Sequence, residues 1–327
     1  MKILVSGAGG FLGQHLVQLL LKRGHTVRAI FRSPPAVYPS WIDNVEPIYA
    51  DLLRDRLEDL FNGIDAVIHL AGVTRATLNS TPCLSVAATE RFLEAMAGSK
   101  ANRLIHISSL SIYDWSRATE VLDETTPVLS DLDGMGEYAI SKVRQEALVL
   151  KYAQTNTWDV TVLRPGFIWG PGRAEVAGMG RRWRRLYVLF GPFTELPLCH
   201  VDNCSDFIAT VVETRAIAYG TFNVIDDCSI KVWRYVFEYM ARTKQFGLVL
   251  PIPYFFGLQV ARLASFATQR ILKRTQLPSL LIPRRFEAQF RPVKFSRQRA
   301  RTQLSWRSPL DFETCLEITY RRTSLTQ

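Results

Sequence analysis

Tyr138 and Lys142 stand four residues apart in EYAISKVRQEA, a segment that reads as helix, so both side chains lie on one face about a turn apart. A free phenol has a pKa of about 10, and a neighbouring ammonium favours the phenolate. The spacing therefore predicts a tyrosine that exchanges a proton near neutral pH, with Lys142 lowering its pKa and able to hold a ribose hydroxyl. Ser108, Ser109 and Ser111 follow an apolar run, where a hydroxyl can orient a carbonyl and stabilise charge growing on its oxygen. Each motif alone is common; the ordered set of glycine turn, serine and Tyr/Lys pair is not.

The glycine turn is Gly7, Gly10 and Gly13, a G-x-x-G-x-x-G placed between a strand pattern and a helix pattern. Bare backbone there can approach a pyrophosphate, and the helix N-terminus favours its charge. NAD-preferring sites commonly carry an acid about 20 residues on, for the ribose hydroxyls. Here the second strand ends instead in Arg32 and Ser33, and a guanidinium suits a 2′-phosphate, so NADP is expected ahead of NAD. Asp51 can accept from an adenine amine or cap a helix. Ala71 and Gly72 leave room for a dinucleotide over the strand ends.

Those residues need a scaffold, and alternating apolar runs and helical patterns predict a doubly wound parallel α/β sheet of the Rossmann type. Strands are expected at Ile3 to Ser6, His25 to Phe31, Val45 to Ala50, Ala66 to Leu70, Arg103 to Ser108 and Val160 to Leu163. Helices are expected at Phe11 to Arg23, Leu84 to Ala97 and Glu137 to Gln154. The rhythm breaks after Gly166, with a turn at Gly170, Pro171 and Gly172 and a basic cluster from Arg181 to Arg185. It returns between His200 and Asp227, with a helix after Asn203 and a strand at Phe222 to Ile225, and the remainder reads as helical and basic. This divides the chain into a dinucleotide-binding domain, residues 1–165 plus 198–228, and a smaller, mostly helical substrate lobe, residues 166–197 plus 229–327.

At 327 residues and 47% hydrophobic composition the chain can bury a sizeable core. The net charge of +10 is uneven: residues 229–327 hold 18 Lys+Arg against 5 Asp+Glu, and the rest of the chain sums to −3. No nucleic-acid reader motif accompanies that charge, so nucleic acid is not the expected partner. Five cysteines, odd in number and without a C-x-x-C pair, read as reduced thiols of a cytoplasmic protein. Cys199, His200, Asp202 and Cys204 match no structural zinc spacing, so no metal is expected. No secretion signal is read in MKILVSGAGG, and Pro251, Pro253, Gln259 and Arg262 interrupt the apolar window Leu248 to Ala267. Gln259, Arg262, Gln269, Arg270 and Lys273 recur at helical spacing among Phe255, Phe256, Leu258, Val260, Leu263, Phe266 and Ile271. That is a basic amphipathic helix, either packed on its own core or lying on an anionic membrane surface.

Taken together, the chain resembles the extended short-chain dehydrogenase/reductases, which include NAD(P)-dependent epimerase/dehydratases and 3β-hydroxysteroid-dehydrogenase-like enzymes. The resemblance rests on the glycine turn, Asp51, HLAG (His69 to Gly72), ISSLSIYD (Ile107 to Asp114), the Tyr/Lys pair, LRPGFIWGPG (Leu163 to Gly172), HVDN (His200 to Asn203) and FNVIDD (Phe222 to Asp227). FSRQRARTQLSWRS (Phe295 to Ser308) resembles the family's closing segment. The resemblance implies a Ser109, Tyr138, Lys142 triad, a small-molecule substrate and a helix-mediated homodimer. It also implies cofactor contacts from Phe11, Leu12, Leu52, Leu70 and Pro165 beside the residues already named. Phe167 stands where nucleotide-sugar epimerases usually carry an asparagine, which favours an apolar alcohol or ketone, although Arg181 to Arg185 could hold a diphosphate. Reversible hydride transfer between a secondary alcohol and its ketone, with Tyr138 as acid/base, is the expected reaction; nucleotide-sugar epimerisation or dehydration is the alternative, and a silent dinucleotide sensor or assembly factor the second alternative.

Overall fold

The apolar centres of runs such as KILVS and AVIH are buried on both faces, so each strand must be covered on both sides. The computed structural model describes residues 1–34, 39–72, 82–214, 220–245, 247–270 and 278–321. Its first five strands are β1 (Lys2–Ser6), β2 (Thr26–Phe31), β3 (Glu46–Tyr49), β4 (Ala66–His69) and β5 (Arg103–Ile107). Past a two-residue strand β6 (Val121–Leu122), the series resumes at β7 (Asp159–Pro165). Two short strands, β8 (Phe167–Trp169) and β9 (Arg181–Trp183), lead to β10 (Leu186–Phe190), β11 (Glu195–Leu196), β12 (Leu198–His200) and β13 (Gly220–Val224). Seven of these form a parallel sheet in the order β3-β2-β1-β4-β5-β7-β13, which is the expected doubly wound fold.

Two helical layers cover the sheet. On one face, α1 (Phe11–Lys22) and α4 (Val201–Glu213) bury Leu16, Leu20, Phe207 and Val211 against Ile3, Val5 and Ile68. On the other, α2 (Pro82–Ala97) and α3 (Glu137–Asn156) bury Phe92, Met96, Val149 and Ala153 against Leu4, Val67 and Leu104. Helix α4 starts at Val201, before the expected point after Asn203, because the His200 ring accepts the Asp202 N–H at 3.3 Å and acts as the N-cap.

The C-terminal third is less purely helical than expected. Besides α5 (Val232–Thr243), it contains β14 (Ile230–Lys231) paired with β11, and β15 (Leu248–Ile252) laid parallel to β10. Helices α6 (Tyr254–Arg270) and α7 (Pro283–Phe290) follow, then β16 (Lys294–Phe295) beside β6, α8 (Gln298–Leu304) and α9 (Phe312–Arg321). A separate core joins Trp169, Tyr187 and Leu189 to Tyr235, Val236, Phe312 and Leu316. One segment departs from the expected division of the chain: Ala300 of α8 and Trp306 are buried in the core under α1 and α4. Trp306 packs edge-on against Phe207 and donates to Asp206 Oδ2 at 2.9 Å.

The basic residues of this third point inward more than expected. Arg297 donates to the Asp226, Phe295 and Cys228 carbonyls and to Glu195 Oε1 at 2.6–3.1 Å. Arg301 pairs with Asp227, Arg299 reaches the Thr221 carbonyl, and Arg284 and Arg285 bind carbonyls between Asp131 and Met135. Helix α6 packs on a core through one side only. Leu258 and Ala261 meet Phe286 and Phe290, while Phe255, Phe256, Val260 and Leu263 are exposed. The side chains of Gln269 and Arg270, and Ile271 and Lys273, lie outside the described residues.

Candidate active site

Strand order reverses between β1 and β4, so the crevice above their carboxyl ends is where an α/β sheet of this type receives a ligand. Gly7 follows β1 with φ of +73°, a conformation that favours glycine. A Cβ at Gly13 would lie 2.3 Å from the Gly7 carbonyl oxygen, so helix α1 can start this close to the strand only with glycine there. Across the crevice, Ala71 and Gly72 follow β4, and a Cβ at Gly72 would approach Lys142 Nζ to 3.3 Å. The cradle is thus lined by bare backbone, a helix N-terminus at Gly10 and an ammonium, which fits a dinucleotide pyrophosphate and ribose.

The triad converges on the carboxyl end of β5. Ser109 caps a short turn over Leu110–Ile112, its Oγ accepting the Ser111 N–H at 3.2 Å. Lys142 is buried and donates from Nζ to the Ile107 carbonyl at 2.8 Å. Burial pushes its ammonium down to about 8, against the opposing pull of Glu146 one turn on. Tyr138 is 50% exposed, and its hydroxyl end is hydrogen-bonded with Ser109. Burial of that end raises the phenol above 10, opposed first by the Ser109 hydrogen bond and then by the charge of Arg173. This reverses the expected shift: desolvation outweighs the nearby cations, and Lys142 is engaged by a carbonyl.

Tyr113, four residues after Ser109, is fully buried. It donates to Asn223 Oδ1 and accepts from Arg164 Nη1, each at 2.8 Å. Burial lifts its phenol to about 12, and Arg164 is in turn paired with buried Glu146, so this tyrosine fastens α3 to β7 and β13. A second buried chain runs beneath the crevice. Gln145 Nε2 donates to Thr89 Oγ1 at 2.8 Å, Thr89 meets His69 Nε2 at 3.1 Å, and His69 Nδ1 meets Ser6 Oγ at 2.8 Å. Ser6 Oγ then accepts the Ala71 N–H at 3.3 Å, so the chain reaches the loop after β4. Burial holds His69 at about 3, which keeps it a neutral link.

The remaining expected residues lie along the same edge in different environments. Arg32 is exposed just past β2. Asp51 follows β3 and is engaged in its own turn, Oδ1 accepting the Leu53 N–H at 2.9 Å, with no helix directly following it. Phe11 and Leu12 open α1, with the Phe11 ring under the Arg173 guanidinium at 5.4 Å. Leu52 and Leu70 are partly buried against the two sheet cores, and Pro165 is buried at the end of β7. Phe167 packs in the separate lobe core. Cys199 and Cys204 are buried under α1 and α4, and no group of metal ligands assembles among the described residues.

Two contributors escaped the sequence reading. Gln145 follows Tyr138 and Lys142 at i+7 and i+3 on α3, a periodicity that could have found it. Arg173 lies beyond a glycine turn, where no period operates.

A glycine-lined crevice thus adjoins Ser109, Tyr138 and Lys142, and the chain has relatives among known proteins. The chain is 32% identical over 173 residues to 4-hydroxy-2-methyl-3-oxo-4-farnesyl-3,4-dihydroquinoline-1-oxide ketoreductase of Stigmatella aurantiaca, covering 52% of this chain and 51% of the relative. It is 31% identical over 231 residues to 2-alkyl-3-oxoalkanoate reductase of Stenotrophomonas maltophilia, covering 67% of each. The chain thus spans about half to two thirds of the length of these relatives. Among solved structures, UDP-glucuronic acid 4-epimerase from Bacillus cereus, in complex with UDP-glucuronic acid and NAD, aligns over 100% of both chains with a TM-score of 0.72 at 20% identity, a likeness of fold. Residues 3–224, from the first strand of the sheet to the last, match one family throughout, and the chain belongs to the NAD dependent epimerase/dehydratase family.

Proposed function

We propose that this chain is an NADP(H)-preferring oxidoreductase that interconverts an apolar ketone and its secondary alcohol. The observation that carries the reading is the meeting of Ser109, Tyr138 and Lys142 beside the glycine cradle. Both relatives bear names of reductases whose compounds carry a farnesyl or alkyl chain, which supports reduction of an apolar carbonyl over internal epimerisation. Phe167 in place of a polar amide supports the same substrate class.

Bound in the cradle, the nicotinamide supplies the hydride. Tyr138, a phenol held protonated by burial, donates its proton to the carbonyl oxygen in reduction and recovers it in oxidation. The Ser109 hydroxyl orients that oxygen and stabilises its growing charge. The Lys142 ammonium holds the ribose hydroxyls and helps the phenolate once the proton has left. Arg173 adds positive charge at the same phenol, and Arg32 receives the 2′-phosphate that distinguishes NADP. Residues 1–165 with 198–228 form the cofactor domain and residues 166–197 with 229–327 the substrate lobe, apart from α8 and Trp306, which return to the sheet. A helix-mediated homodimer and a peripheral membrane contact through the basic third complete the reading.

The test is steady-state oxidation of NADPH and of NADH with alkyl ketones. Turnover faster with NADPH is expected, and Tyr138→Phe lowers it by about 100- to 10,000-fold while cofactor affinity is retained. Near-normal turnover in that variant sinks the assignment.

A further inference from the structure

Helix α6 buries only its inner side. Leu258 and Ala261 pack on Phe286 and Phe290, whereas Phe255, Phe256, Val260 and Leu263 are 58–68% exposed on the side away from that core. The apolar surface does not stop at the helix. In the adjoining three-stranded sheet, register sets Trp183 opposite Leu186, and Leu186 opposite Leu248, on the face away from Tyr187 and Leu189, which are buried in the lobe core. Trp183 and Leu248 are 74% and 73% exposed. This face runs along β10 to Phe190, which packs against the cluster under α6, and β15 enters α6 directly through Pro253. Strand and helix therefore present adjoining apolar surfaces.

The surrounding charge has one sign. The sequence has no acid between Glu175 and Glu195, nor between Glu238 and Glu287. Arg184 and Arg185 stand exposed between Trp183 and Leu186, and Arg262 stands exposed on α6 between Val260 and Leu263. Large exposed apolar side chains rimmed by cations match an anionic lipid surface, where rings enter the acyl boundary and guanidinium groups meet the headgroup phosphates. No helix among the described residues is long and apolar enough to cross a membrane, so the contact lies on the bilayer. At 17 residues, α6 is about 25 Å long, enough to lie flat in the interface.

We infer that the outer face of α6, continued by Trp183 and Leu248, docks the protein on an anionic membrane. It would place the site where an apolar ketone partitions. The inference rests on the apolar-substrate reading for its purpose but not for its test.

The test is co-sedimentation of the full chain with vesicles of phosphatidylcholine and phosphatidylglycerol, against phosphatidylcholine alone. Binding is expected to the anionic vesicles, weakened by salt, and reduced at least about tenfold in the triple variant Phe255→Ser, Phe256→Ser, Leu263→Ser. These side chains are exposed, so the variant should keep its circular dichroism and its turnover of a short water-soluble ketone. Failure to sediment, or equal binding of the variant, overturns the docking face. So does a parent that sediments as a dimer in solution and a variant that sediments as a monomer, because the face then belongs to a second copy. Vesicle binding without reduction of any ketone overturns the substrate reading alone.

Discussion

The sheet and the C-terminal third hold together by different balances of apolar cover and arginine bonding. In the sheet, mostly apolar strands are covered on both faces, the buried Arg28, Arg103 and Arg164 being fastened to carbonyls or to Glu146, and the tightest constraints are backbone ones, as where Gly13 meets the Gly7 carbonyl. In the C-terminal third, arginines reach back across the chain to carbonyls and carboxylates, with Arg297 making four such bonds. The same positive charge therefore has two uses. Where an arginine ends on a carbonyl it is a fastener, and where it ends in water beside exposed rings it is a surface. Net charge alone cannot separate them.

Four measurements press on that contrast. The largest stability effect is expected from Arg297→Leu, which leaves Glu195 buried without its ion-pair partner; urea unfolding should show a loss of about 3–5 kcal/mol. A loss below about 0.5 kcal/mol would return Arg297 to the surface class. Gly13→Ala should remove about 1–3 kcal/mol by overpacking and abolish dinucleotide binding in calorimetry, since the new Cβ must displace backbone. Third, the Lys142 ammonium is present below about 8 and lost above it, while burial keeps Tyr138 protonated past 10. The alkaline limb of kcat/KM should thus fall near pH 8 and move upward in Lys142→Arg; an unmoved limb excludes Lys142 as its source. Arg262→Gln should change stability by less than about 0.5 kcal/mol, for its guanidinium is exposed.

The sheet was legible because its signals are local. Apolar runs, the glycine turn and the spacing of Tyr138 and Lys142 each report on a few neighbouring residues, and the strands of the sheet lie within two residues of their expected ends. The triad was legible as a set of candidates, though the direction of the Tyr138 shift was not, because desolvation depends on what closes around a side chain. Strand β15 was hidden by Pro251 within it, by Pro253 just after it, and by a partner, β10, 62 residues earlier at the pair Leu186 and Leu248. The inward arginines were hidden for a related reason: Arg284 meets Asp131, and Arg299 meets Thr221, across separations no sequence period can encode.

Trp306 sets an order of events. The core under α1 and α4 includes Ala300 and Trp306, contributed by a segment that follows the sheet's last strand by some 80 residues. Closing so long a loop is slow compared with local contacts. During synthesis the seven strands, α1 and α4 can therefore emerge and pack while one part of that core is still open, until Ala300 and Trp306 arrive to close it. The final step of folding the seven-stranded sheet and its layers thus belongs to the chain's last quarter.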